Sequence, residues 1–142
     1  MKEDAIRDLK LLEVRRIAAD SLRLRRRELE LDTMGPAGYT GRTAAVMGGS
    51  GATREEWLSD AIDRCDAMRR REMVLRDLVA QTERALAVLS PRHRTVVEAL
   101  YVHPRNNPIG WLQAELYLSR TQVYRIRDDA LERFGLLMGY GI

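Results

Sequence analysis

The chain has 142 residues, 45% of them hydrophobic and 32% charged, enough for one domain with a real core or for a small domain plus a long helical appendage. A single cysteine, Cys65, excludes an internal disulfide and a multi-cysteine zinc site, and no apolar run approaches the roughly 20 residues that span a bilayer. The net charge is +3 and Arg carries almost all the positive charge; Arg suits phosphate and guanine contacts, but an Arg-favouring codon usage gives the same excess, so composition alone does not establish DNA binding.

Arg, Glu, Leu and Ala dominate and Phe occurs once, which predicts an all-α fold. The start, MKEDAIRDLK, is unlike a signal peptide, and a reducing, cytoplasmic setting is expected. From about Lys2 to Leu31 no Pro or Gly interrupts, and Leu11, Val14, Ala18, Leu22 and Leu29, with Ile17 and Leu24 beside them, predict one apolar helix face. The RLRRRE cluster at residues 23–28 reads as a solvated face, since residues 1–32 hold nine basic and eight acidic side chains. Residues 33–52 hold six Gly and one Pro and read as a loop or flexible connection. They lack the Gly-Lys-Ser/Thr ending of a phosphate loop.

A second long helix is expected from Thr53, with Glu56 completing a capping box, to about Leu89. Its heptad positions are Leu58, Ala61, Cys65, Met68, Glu72, Leu75, Val79, Thr82, Leu86 and Leu89; eight of the ten are apolar. That regularity predicts a coiled-coil-like seam, closed against the first helix as an antiparallel hairpin, against a second copy, or both. Glu72 either fixes the register or marks a bend. Ser90-Pro91 then opens a helix through about Val102, with Val96, Val97, Leu100 and Tyr101 inward, and HPRNNP ends it. His93 and His103 have no matching ligand pattern, so neither a metal nor any other cofactor is expected.

Residues 112–134, LQAELYLSRTQVYRIRDDALERF, carry the functional signal. Leu112, Leu116, Leu118, Val123 and Ile126 fall where a helix-turn-helix needs its internal contacts, and Ser119 is placed to cap the second helix. Arg120, Thr121, Gln122, Tyr124 and Arg125 face the other way with the reach to meet base edges in a major groove; with Ser119 they form the expected DNA-reading set. Arg94, Arg105 and Arg127 suit phosphate positioning. No Ser-His-Asp set, metal cluster or phosphate loop stands out, so an enzyme is not expected. The tail, residues 135–142, either closes the core or docks on a partner.

The run LSPRHRTVVEALYV, the helix-turn-helix and the ending ALERF together resemble region 4 of bacterial sigma factors. VYRIRDDAL preceded by a long helical pair with a Gly-rich interruption resembles the phage and prophage transcriptional regulators of the ArpU and RinA type. The resemblance implies control of late phage genes through promoter DNA in a bacterial host cell. It assigns the reading set to Ser119, Arg120, Thr121, Gln122, Tyr124 and Arg125. Two positions depart from the motif: Gln113 stands where a small residue is usual, and Tyr117 where the turn often has Gly. The expected organisation is an oligomerising helical hairpin over 1–89 followed by a three- to four-helix DNA-binding domain over 90–142, with recognition helix 119–134. The expected partners are double-stranded DNA and a homodimer or larger homo-oligomer, with no membrane. Two other functions fit the same features: a small terminase-like packaging subunit, distinguished by a ring of many copies, and a sigma-like adaptor that binds RNA polymerase without touching DNA.

Overall fold

The computed structural model describes residues 2–34 and 54–140. All the elements of these residues are helical: α1 (Lys2–Met34), α2 (Arg54–Val88), α3 (Pro91–Val97), α4 (Pro108–Leu116) and α5 (Arg120–Leu137), with a π-helical turn, Glu98–Val102, continuing α3. The all-α expectation holds, and the two long helices pack antiparallel before the smaller C-terminal helices. Thr33 belongs to α1 rather than to the loop, its hydroxyl donating to the carbonyls of Leu29 and Glu30. The rest of the Gly-rich stretch lies outside the described residues, as does the expected cap at Thr53. No helix among the described residues is long and apolar enough to cross a membrane.

The heptad reading of α2 is borne out. Ala61, Cys65, Glu72, Val79, Thr82, Leu86 and Leu89 are buried, and Leu58, Met68 and Leu75 are half-buried. The face expected of α1 is borne out in part: Leu11, Ala18, Leu22 and Leu29 are half-buried, but Val14, Ile17 and Leu24 are exposed, while Ala5, Leu9, Leu12 and Ala19 are buried. The strip of α1 that follows the 3.5-residue repeat of α2 is Ala5, Asp8, Leu12, Arg15, Ala19, Leu22, Arg26 and Leu29, and three of these are charged. Each charge has its partner within the seam. Arg15 donates to Asp8 at 2.9 Å, and Arg26 donates to Glu72 at 2.5 Å. Glu72 also accepts from Arg76 at 2.7 Å, and Arg76 reaches Asp20 at 3.1 Å. Glu72 is thus held as one member of an ion-pair layer.

The chain divides into two compact units, Met1–Arg16 with Asp77–Ile142, and Ile17–Arg76. The first has a core of Leu9, Leu12, Leu86, Leu89, Val97 and Phe134 with smaller residues between them. Its α3 begins as the sequence predicts, with Pro91 in the first turn and the Ser90 side chain accepting from the His93 amide at 3.3 Å. Val96 and Val97 are fully buried. The wider π turn, closed by His103 N–H donating to the Glu98 carbonyl at 2.8 Å, turns Ala99 and Val102 inward and leaves Leu100 and Tyr101 half-buried.

Candidate nucleic-acid interface

The helix-turn-helix is built around a small core of its own: Val96, Ala99, Leu112 and Val123 are buried, with Leu100, Ile109, Trp111, Leu116, Leu118 and Ile126 packed against them. All five inward positions expected of the motif therefore converge. At the entry to α4, Asn107 adopts a left-handed conformation, φ 48°, and its side chain accepts from the Gly110 amide at 3.4 Å. A Cβ on residue 110 would collide with the Asn107 side chain. Glycine at 110 and asparagine at 107 are thus one device.

Tyr117 makes the turn between the motif's helices. It sits at φ 54°, ψ 48° and is 93% exposed. Its amide donates to the Gln113 carbonyl, as does the Leu118 amide at 3.2 Å. The left-handed turn usually made by Gly forms here around Tyr, and the peptide geometry of the cap, not the ring, holds it. Ser119 then starts α5 with a full capping box. Its hydroxyl accepts from the Gln122 amide at 3.2 Å, and the Gln122 side-chain oxygen accepts from the Ser119 amide at 2.8 Å.

These caps sort the expected reading residues. The Ser119 hydroxyl and the Gln122 side-chain oxygen are engaged in starting the helix, and the Gln122 amino group is not part of that cap. Thr121 and Arg125 are exposed on the same outward line. Arg120 and Arg127 flank Tyr124, with guanidinium carbons 5.7 and 4.8 Å from the ring centroid, and Arg120 also donates to the Tyr124 hydroxyl at 3.3 Å. Stacking of this kind holds long side chains in place. The outward surface of the first two turns of α5 thus carries a hydroxyl, an amide and arginines, all of which can address base edges or phosphates. Behind them, Asp128 pairs with Arg127 at 3.0 Å and with Lys2 at 3.6 Å.

The three residues expected to touch phosphate are placed differently from one another. Arg94 donates to the carbonyls of Leu86, Ala87 and Leu89 at 3.0, 2.9 and 3.4 Å. It closes the C-terminal end of α2, where carbonyls lack helical partners. Arg127 is shared between Tyr124 and Asp128. Arg105 is exposed and lies over the Trp111 ring at 3.8 Å. Sequence reading did not find that stack; its only trace is an aromatic three residues into the helix that follows the HPRNNP turn. The His93 imidazole is held below its ordinary value of 6.5, first by burial and then by the nearby charge of Arg133. Comparison of the chain with protein-family models, with curated proteins and with solved structures finds no match, so the reading of this site rests on its own geometry.

Proposed function

We propose that this chain is a sequence-specific DNA-binding transcriptional regulator of phage or prophage genes, placing the front of α5 in the major groove of double-stranded DNA and acting as a homodimer or larger homo-oligomer. The observation that carries the reading is the front of α5. Thr121, Gln122 and Arg125 project from the first two turns of a capped helix whose back is gripped by Val123 and Ile126 against Leu112. Rigid presentation from a helix N-terminus is what base reading requires, since a bidentate contact is worth about 1–3 kcal/mol only when its geometry is preset. Arg120, held by Tyr124, completes the reading set, and Arg105, held by Trp111, supplies positive charge at the flank, where a phosphate would run. One helix-turn-helix rarely supplies enough contacts, which supports pairing of copies over two half-sites.

The test is selection of bound fragments from the source genome at fixed salt, followed by affinity measurement on the selected site. Arg120→Ala combined with Arg125→Ala is expected to lower affinity for that site by about a hundredfold or more, two lost contacts at the magnitudes above, with unchanged helical circular dichroism. Undiminished binding of the selected site would remove α5 as the reading helix.

A further inference from the structure

Hydrogen bonding within the capped start of α5 decides which atoms are left to meet DNA. The Ser119 amide can only donate, so the Gln122 atom 2.8 Å from it is the side-chain oxygen, not the amino group. The Ser119 hydroxyl oxygen accepts from the Gln122 amide at 3.2 Å, and the Tyr124 hydroxyl oxygen accepts from Arg120 at 3.3 Å. These side-chain oxygens of the first two turns are therefore already accepting from the helix's own groups. What remains to donate is the Gln122 amino group, the Ser119 and Tyr124 hydroxyl protons, and the guanidiniums of Arg120 and Arg125. Thr121 is the exception, an exposed hydroxyl that can do either.

Arg125 differs from the four arginines already placed. Arg94 is bound to the end of α2, Arg105 lies over Trp111, and Arg120 and Arg127 hold Tyr124. Arg125 is exposed and has no hydrogen bond, ion pair or ring contact among the described residues, so its whole donor fork is uncommitted. The exposed carboxylates Asp129 and Glu132 lie about 15 and 20 Å along the helix axis from the Ser119 cap, behind that front.

In the major groove guanine presents two acceptors, N7 and O6, whereas adenine pairs one acceptor with the N6 donor and cytosine presents the N4 donor. A front made chiefly of donors matches the guanine edge. The two-bond contact of a glutamine with adenine needs the side-chain oxygen, and releasing that oxygen undoes the cap that presents the helix.

We infer that α5 reads guanine: Arg125 donates to N7 and O6 of one base, and Gln122 donates through its amino group to an acceptor on a neighbouring base pair, taking no part in adenine recognition. The inference rests on the DNA-reading assignment above and names the base chemistry of its site.

Selection from a pool of random duplexes at fixed salt, followed by base-analogue substitution in the selected site, tests this. The selected site is expected to hold an obligatory G·C pair. Replacing its guanine by 7-deazaguanine, which lacks the N7 acceptor, is expected to weaken wild-type binding at least about fivefold. Arg125→Ala, weaker on the original site, is expected to bind original and analogue equally. Gln122→Glu keeps an oxygen for the cap but lacks the amino group. It is expected to leave circular dichroism unchanged and to alter the selected base at a position next to the Arg125 guanine. Failure of the wild type to select any sequence would overturn the DNA-reading assignment together with this inference. A selected site indifferent to 7-deazaguanine, an equal loss with the analogue in Arg125→Ala, or a Gln122→Glu variant that selects the wild-type site would each overturn the inference and leave DNA reading standing.

Discussion

Tyr117 shows how one residue departs from a motif while the motif survives. A non-glycine side chain in the left-handed region costs roughly 1–2 kcal/mol, and at 93% exposure the ring recovers little by packing. Two backbone amides donating to the Gln113 carbonyl hold the turn regardless. Tyr117→Gly is therefore expected to raise unfolding stability by about 1 kcal/mol in denaturant titration; a loss of stability would mean that the ring has a packing role. Arg94 and Arg105 make a second contrast at this scale. Arg94→Ala removes donors from three carbonyls at the end of α2. It is expected to lower stability by about 1–3 kcal/mol while leaving the salt dependence of DNA affinity unchanged. Arg105→Ala is expected to do the reverse, reducing the slope of log affinity against log salt by about one. Equal slopes for wild type and Arg105→Ala would remove Arg105 from the proposed phosphate contacts.

Among the elements, the long helices carry charge where a coiled-coil seam ordinarily carries leucine. The Glu72 carboxyl is held below its ordinary value of 4.5, first by the hydrogen bond from Arg76 and, against some opposing cost of burial, by the charge of Arg26. Its proton is bound less tightly in the folded chain than in the unfolded one. The stability it contributes is thus fully present above the ordinary carboxylate value and is lost as pH falls through the lowered one. The melting temperature is expected to drop across that acid window. Glu72→Gln is expected to melt lower at neutral pH, where Arg26 loses its anion, and to show a shallower acid decline. An identical pH profile in wild type and variant would show that the pair does not couple protonation to folding. Asp8 and Arg15 form a comparable buried layer in the other unit, with Asp8 Oδ2 left without a hydrogen bond.

Over the whole molecule, the helix-turn-helix is not confined to the residues that spell it. Ala130, Leu131 and Phe134 on the rear of α5 share one core with Ala5, Leu9 and Leu12 of α1 and with Leu86 and Leu89 at the end of α2. A fragment of residues 90–142 leaves Phe134 and its neighbours without that cover. It is expected to lose near-ultraviolet dichroism and dispersed amide resonances while retaining helical signal, the signature of lost side-chain packing. A well-dispersed spectrum from the fragment would show that the smaller core around Leu112 and Val123 suffices. What Phe134 meets lies on α1 and at the end of α2, and no spacing within α5 encodes it.

Sequence by itself determined the features that depend on local chemistry and repeat. The ten seam positions of α2 follow from heptad spacing, the boundary at Ser90-Pro91 from the missing proline donor, and the start of α5 from the capping hydroxyl of Ser119. The five inward residues of the helix-turn-helix follow in the same way, because a short motif with a fixed turn constrains its own contacts. Tertiary structure alone decided which side of α1 is buried. Counting apolar residues favours Val14, Ile17 and Leu24, but burial is set by the partner helix. Asp8 and Arg15 enter the seam as each other's counterion along α1, and Arg26 enters because Glu72 of α2 meets it there. The same pairing across distance assigned Arg94 to the end of α2 and set Arg105 on Trp111, contacts that no spacing within a single helix encodes.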